Sequence, residues 1–398
     1  MVNAGNAAGQ SQPAALAVAR WVRDEAQFIA LETDWNRLCA AMPQATVFHR
    51  HEWFVAAWQW QRHSHALAIL VVEQAGLPIA IAPLVKRLAP AGHGPARHRV
   101  LEFLLVPDSQ CCDLIAPLSH LPTALPALIY ALRAMAGEWD QLRLRLLPAD
   151  SPSVEALYVA LAQGGLRPCY AATDSNPFIP LRGGWPTYYA GRSRRLKKGN
   201  NLAANHLRKA GSIELQHVSG VLSDDQTGKL LHTLTTVSTQ SWKRRTGNTL
   251  EQAGPGAFFA ALTRTAGRHG WLSVWLLKLN DVVIATEYQL RFGGCVHALR
   301  SDFDPAHDGL SPGTYLNWKL IEALFEVAPD ERYCFGPGGN PYKQRWAQDA
   351  RPLLTLTAWS PSLRGRLGGF WYQRLRPWAK RLLGRAPVSV APDAREES

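Results

Sequence analysis

Residues 295–327 read CVHALRSDFDPAHDGLSPGTYLNWKLIEALFEV, and the order of residue types in them decides the fold. Val296 to Phe303 alternates apolar and polar residues as a half-buried strand does, and a loop of Asp, Pro, His and Gly follows. Ser311-Pro312-Gly313-Thr314 then opens a segment whose apolar residues, Leu316, Leu320, Ala323, Leu324 and Val327, recur at helical spacing. The spacing predicts a strand, a loop and a helix that packs its far side on a sheet. Ser311 suits the N-cap, Pro312 the first turn, and Gly313 lets another group approach the backbone. First-turn amides have no intrahelical acceptor and sit at the positive end of the helix dipole. Ser311, Gly313 and Thr314 are therefore candidates to hold an anion.

Working outward, the elements around this stretch occur twice. At an offset of 205, Trp53-Phe54-Val55-Ala56-Ala57 matches Phe258-Phe259-Ala260-Ala261-Leu262, Leu67 matches Leu272, Val72 matches Leu277, and Ile79-Ala80 matches Ile284-Ala285. At an offset of 190, Pro122 matches Pro312, Asp140 matches Asp330, and Leu166 to Tyr170 matches Leu356 to Ser360. Each copy reads helix, strand, hairpin strand, strand, helix, strand, helix, strand. The expected fold class is α/β (α+β), with duplicated modules in tandem, each a mixed, mostly antiparallel sheet flanked by helices. The copies differ at the helix mouth: Thr123 stands where the second copy has Gly313, and Pro126 follows inside the helix. A bulky, proline-interrupted start presents its amides less openly, so the second module is expected to hold the cofactor and the first to be structural or to face substrate.

The chain of 398 residues is long enough for two cores. We expect a disordered leader at 1–19, modules at 20–180 and 181–360, and a basic aromatic tail at 361–398. The first nineteen residues lack a basic start and a compact apolar block, and the longest apolar run is broken by Glu73, Gln74, Gly76 and Pro78, which argues against a signal peptide and a membrane span. Six cysteines lack metal-site spacing and read as free thiols in a reducing cytoplasm; no metal site is expected. The formal charge of +12 is concentrated: 175–213 carries a net +8 and 361–398 a net +5, leaving −1 elsewhere. That distribution argues against a DNA-binding protein. The segment from Gly191 to Gly211 reads as an amphipathic helix, either simply solvated or a rim for a phosphorylated or acidic substrate. In the tail, apolar and aromatic residues line one helical face opposite arginines, a pattern suited to contact with the inner face of a membrane through 361–385, or to packing on the protein itself.

Alternation in VVIATEYQL puts Ala285, Glu287 and Gln289 on one face, so Glu287 lies in a cleft, is buried at a cost, or faces water at a strand edge. Asp302 closes the next strand, as a reactive carboxylate or a cap of the Asp304-Pro305 loop, and His297 reads as a core histidine.

Several features together resemble the GNAT acyltransferases, and specifically the CelD/BcsL-type acetyltransferases associated with cellulose and exopolysaccharide synthesis. They are Ser241-Trp242-Lys243, Val283-Ile284-Ala285, Asp302, Ser311-Pro312-Gly313, and Phe335-Gly336-Pro337-Gly338 followed by Tyr342-Lys343-Gln344-Arg345-Trp346. The paired modules also resemble the tandem GNAT folds of the Fem-type aminoacyltransferases. The resemblance implies an acyl-CoA-dependent acyltransferase, acetyl-CoA being the expected cosubstrate, acting on a saccharide or cell-envelope precursor. For such a transfer the residues themselves offer coenzyme contacts at Ser311, Gly313 and Thr314, Glu287 or Asp302 as base, and Tyr315 as donor to the departing sulfur or simply packed. Trp242, Lys243, Tyr342 and Lys343 are expected around the substrate, each lysine following an aromatic and either binding a phosphate or carboxylate of substrate or coenzyme or lying solvated at the surface. The rival readings are aminoacyl transfer from charged tRNA, and a non-catalytic GNAT-fold subunit of an exopolysaccharide machine, which Cys334 in place of an expected Asp would suit.

Overall fold

A computed structural model describes residues 15–90 and 97–372. The first half contains β1 (Val18–Val22), α1 (Glu25–Ile29), α2 (Glu32–Ala40), α3 (His51–Gln61), β2 (Ala66–Leu67), β3 (Ile69–Gln74), β4 (Leu77–Ala82), β5 (Leu84–Pro90), β6 (Arg97–Phe103), α4 (Leu121–Ala134), β7 (Gln141–Pro148), α5 (Pro152–Gln163) and β8 (Cys169–Pro180). The second half contains α6 (Trp185–Ala190), α7 (Arg194–Ala210), β9 (Ile213–Ser219), α8 (Asp224–Gln240), α9 (Ala253–His269), β10 (Leu272–Leu279), β11 (Val282–Phe292), β12 (Cys295–Phe303), α10 (Pro312–Val327), β13 (Arg332–Cys334), α11 (Pro341–Trp346), β14 (Asp349–Trp359) and α12 (Leu363–Phe370). Strand β1 takes in Val18 and Ala19, the last residues of the expected leader; the stretch before Ala15 and the tail beyond Tyr372 lie outside the described residues.

From α3 to β8 and from α9 to β14 the same series of elements repeats, as the duplicated pattern predicts. Parallel pairing occurs between β6 and β7 and between β12 and β13, the corresponding places in the two halves, each bridged by a helix, α4 or α10. The other pairings in the sheets are antiparallel. The residue match fails in one place. The 190 offset sets the start of β8 against the end of β14, whereas β14 begins at Asp349, ten residues earlier.

An eleven-stranded sheet runs β2-β5-β6-β7-β14-β8-β13-β12-β11-β10-β9, and β1-β3-β4 forms a separate three-stranded sheet. The 205 offset explains why the first half splits its sheet and the second does not. Pro83 lies between β4 and β5; it has no N–H to give a ladder, so the strand breaks there and its two parts join different sheets. The corresponding residue is Tyr288, and β11 stays whole, absorbing the change as a one-residue register slip against β12 between Tyr288 and Gln289.

At the centre of the large sheet the halves exchange their last strands. β8, from the first half, pairs with β13, and β14, from the second, pairs with β7, while β8 and β14 pair with each other. Hydrogen bonding therefore crosses the 180/181 sequence boundary in both directions. Corresponding residues also meet on the helical side: Trp53 of α3 and Phe258 of α9 pack edge to face with ring centroids 5.3 Å apart. One apolar core runs through the first half into α8, α9 and the near face of β10 and β11. A second lies under α7 and α10.

Because each half is completed by a strand of the other, the chain is expected to unfold as one unit. Leu356 of β14 is fully buried opposite Leu144 and Tyr170. Leu356→Ala should cost about 2–5 kcal/mol and move a single calorimetric transition to lower temperature. Two transitions, with only one displaced, would contradict the exchange.

Candidate active site

Three residues of β12 pair with β13, Cys295 with Arg332, Val296 with Tyr333 and His297 with Cys334. Beyond His297 the two strands part, because β13 ends at Cys334 and the chain turns through Gly336 (φ +80°) and Gly338 (φ +111°). The freed segment of β12 is thus Ala298 to Phe303, shorter than the Val296–Phe303 stretch the sequence suggested. Side chains occupy two of its carbonyls: Gln110 Nε2 donates to Ala298 O at 2.7 Å, and Lys243 Nζ donates to Ser301 O. Gln110 comes from the first half and also accepts from His297 Nδ1 (3.0 Å) and Asn176 Nδ2 (3.3 Å). Burial holds the His297 imidazole at a pKa of about 3, so it is neutral, a core histidine as its sequence context indicated.

Helix α10 begins where this opening ends. Ser311 occupies the N-cap position with left-handed backbone (φ 53°, ψ 53°), and its side chain makes no capping hydrogen bond, contrary to the expected role. The left-handed residue interrupts the tight turn at Pro305–Leu310, so α10 starts afresh. Neither the Gly313 nor the Thr314 amide has a hydrogen-bond partner among the described residues. Thr314 is exposed, and a Cβ placed on Gly313 would meet only Phe303 Cδ1, at 3.7 Å. In the first half, by contrast, the turn at Leu118–His120 runs into α4 with right-handed backbone at His120 and Leu121, and Pro126 lies inside that helix.

Glu287 is buried at the centre of β11, 6 % exposed, which excludes the strand-edge alternative. It lies between Trp275 of β10 and Ser301 of β12, and Ser301 Oγ donates to its Oε2. The tight turn at Gly293-Gly294, continued in register, would set Arg300 opposite Glu287; the slip at Tyr288/Gln289 sets Ser301 there instead. Burial raises the Glu287 pKa from 4.5 to about 7, against the hydrogen bond from Ser301 and the charge of Lys243; Asp302 adds to the rise and Lys343 opposes it. Carrying the 205 offset to this point, the first half has Ala82, so it has no counterpart carboxylate.

Asp302 is clamped. Arg300 Nε reaches its Oδ2 at 2.5 Å and Lys243 Nζ its Oδ1 at 3.4 Å, while Arg300 Nη2 also donates to Ser238 Oγ (2.9 Å) and Asn248 O (2.6 Å). Lys243 is not a surface cation. The tight turn Trp242–Thr246, after α8, aims it inward, and burial lowers its pKa, with Asp302 opposing. Lys343 likewise spends donors on the protein, at Gly336 O (3.1 Å) and Pro337 O (2.9 Å), and so secures the loop where β13 departs from β12. Trp242 lies under the Lys243 ammonium, 5.6 Å from ring centroid to Nζ, and Tyr342 is partly exposed beside Phe335. Tyr315 packs edge-on against Trp318. Direct contacts therefore unite Glu287, Ser301, Asp302, Arg300 and Lys243.

The first half adds Asp108, which sequence reasoning missed. Its Oδ2 is enclosed without a hydrogen-bond partner, and the charges that act on it are those of Arg300, Lys243 and Asp302. Burial raises its pKa to about 6, opposed by Arg300 and Lys243. A single Asp more than a hundred residues before Lys243, Arg300 and Asp302 carries no signal in the sequence; only the packing of the halves reveals it. Among the described residues no group of three or more His, Cys, Asp or Glu is placed to hold a metal, and no helix is long and apolar enough to cross a membrane.

Residues 195–344 match the family model of the acetyltransferase (GNAT) domain. No curated protein matches the chain. Among solved structures, the C-terminal domain of a putative lysylphosphatidylglycerol synthetase from Agrobacterium fabrum superposes with a TM-score of 0.53 at 11% identity, over 87% of this chain and 96% of that one. FemX superposes with a TM-score of 0.53 at 11% identity, over 86% and 98%. A tandem GNAT protein from the clavulanic acid biosynthesis pathway covers 86% of this chain and 99% of its own, with 12% identity and a TM-score of 0.45. The second half thus carries a GNAT acetyltransferase domain, set in a mixed α/β fold of two modules, and the chain is an acyltransferase.

The raised Glu287 pKa has a consequence for stability. Between pH 4.5 and about 7 the folded carboxyl holds a proton that the unfolded one has lost, so stability falls as pH rises through that window and the loss persists above it. A rise from 4.5 to about 7 corresponds to roughly 3 kcal/mol. Glu287→Gln should therefore gain stability relative to wild type at pH 8.5 compared with pH 5, read as a difference in Tm. An offset independent of pH would contradict the burial.

Proposed function

We propose that this protein transfers an acyl group, acetyl in the simplest case, from coenzyme A directly to an amine or hydroxyl of a saccharide or cell-envelope precursor. The observation carrying this reading is the juxtaposition of the β12–β13 opening with the proton-holding carboxyl of Glu287 and the open start of α10. The residues fit the cosubstrate: the Gly313 and Thr314 amides suit its diphosphate, and Gly313 leaves space for close approach. The thioester arm would follow Ala298 to Phe303.

In the reaction the acceptor nitrogen or oxygen forms a bond to the acyl carbon and loses its proton to the Glu287 carboxylate, and the carbon–sulfur bond breaks. The thiolate leaves without prior protonation, since its conjugate acid has a pKa of about 8.5. Ser301 fixes the Glu287 rotamer, and Lys243 holds both the Ser301 carbonyl and Asp302 in place. Asp302, clamped between two cations, serves to position this group; Glu287 is the base.

Calorimetric titration with acetyl-CoA should give heat with wild type and none with Gly313→Trp; equal heats would move the coenzyme elsewhere. Acceptor-dependent release of free CoA thiol should fall about 10²–10⁴-fold in Glu287→Gln. In wild type, kcat/KM should decline below about pH 7 as the carboxyl protonates. A rate unchanged in the variant, or one that rises toward acid, would remove Glu287 from this role.

A further inference from the structure

Helix α7 puts its cations where a helix built only to pack would not. Arg194, Arg195, Lys197 and Lys198 fall in its first five residues, with no acidic residue in the first turn, so four positive charges meet the positive end of the helix dipole. Arg194 and Lys198 are also like charges one turn apart. Among the described residues none of these four, nor Arg208 or Lys209, is ion-paired to a carboxylate. The inner face of the helix is satisfied: Leu196, Ala203, Ala204 and Leu207 are buried, Asn200 donates to Tyr189 Oη at 3.1 Å, and Ser193 caps the start. Lys197 is taken up in part, donating to Ala190 O at 2.8 Å and lying over the Tyr189 ring, so the charges left without compensation at the start of the helix are those of Arg194, Arg195 and Lys198.

Arg194, Lys197, Lys198, Asn201, Leu202 and Asn205 form one continuous, solvent-open patch on the outer face of the helix. It combines guanidinium and ammonium groups with two amides and an exposed leucine. The patch also lies on the helix that meets the proposed coenzyme site, since His206 Nδ1 donates to Gly309 O at 3.2 Å, just before α10. Lys198 is eight residues from His206, about 12 Å along the helix.

We infer that the outer face of α7 is a binding site for a diphosphate or longer phosphate chain, distinct from the coenzyme site at α10, and that it seats a phosphate-bearing acceptor. Its assignment to the acceptor rests on the acyltransferase reading; the binding itself does not. The like charges at the start of α7 are neutralised when the ligand binds, and the amides of Asn201 and Asn205 give the site directionality.

The test is titration calorimetry on the full chain with inorganic tripolyphosphate, with UDP as a soluble nucleotide diphosphate, and with vesicles containing phosphatidic acid. Arg194→Glu/Lys198→Glu should weaken tripolyphosphate binding at least about tenfold, whereas Lys209→Glu/Lys229→Glu, the same charge change made away from the patch, should weaken it less than about threefold. Both variants should keep the wild-type Tm and acetyl-CoA affinity. UDP binding lost in the first variant would support a nucleotide-borne phosphate, and vesicle binding lost in it a lipid-borne one. Equal losses in both variants would reduce the site to net charge, and a parallel loss of acetyl-CoA affinity would assign the patch to the coenzyme. Wild type that binds tRNA but not tripolyphosphate would replace the small-ligand site with a tRNA surface. Should wild type give no acetyl-CoA heat while the tripolyphosphate pattern holds, the acyl-CoA reading fails and the α7 site stands.

Discussion

The organisation of this molecule depends on how β13 is held. That strand is only three residues long, and it keeps its place because β12 bonds one edge and β8, supplied by the other half, bonds the second. A strand so short cannot follow β12 along its length, so β12 is released from Ala298 onward. The opening therefore follows from a hydrogen-bonding constraint, and the exchange of β8 and β14 makes both modules responsible for it. Gln110 shows the same dependence on a smaller scale: a first-half side chain bonds the Ala298 carbonyl and the His297 ring at the point where the strands part.

Duplication supplied two similar modules, and a few residues made one of them a site. Pro83 breaks the first half's long strand where Tyr288 lets the second half's continue with a slip, and the slip turns Ser301 toward Glu287 and Arg300 to the opposite face. Ala82 stands where the second half has Glu287. A right-handed His120-Leu121 leads into α4, where left-handed Ser311 separates α10 from the turn before it. The first half has not become idle. It contributes Asp108 and Gln110 to the second half's interior, together with the strand that holds β13.

Much of this was legible in the sequence because it rests on periodicity and on local turn chemistry. The alternation around Glu287 identified its face, helical spacing located α10, and the repeat established that the series of elements occurs twice. What escaped depends on long-range packing. The last strands cross between modules, which moves β14 ten residues from the place the repeat assigned to it. Lys243 and Lys343 follow aromatics in neutral surroundings and read as cations for substrate or coenzyme or as solvated surface lysines, yet both turn inward to bond carbonyls. Ser311 has the residue type of a cap, but its left-handed backbone takes the side chain away from that role. Asp302 reads as a reactive carboxylate or a loop cap until Arg300, two residues earlier in the chain, is seen to clamp it.

Hydrogen–deuterium exchange with and without acetyl-CoA bears on this most directly, because it reads the backbone of both halves at once. Coenzyme in the opening should slow exchange at the amides of 298–303 and 313–315, and leave those of Leu121 and 123–125 in the first half unchanged. Protection of the first-half helix start, or none at either place in the second half, would contradict the assignment.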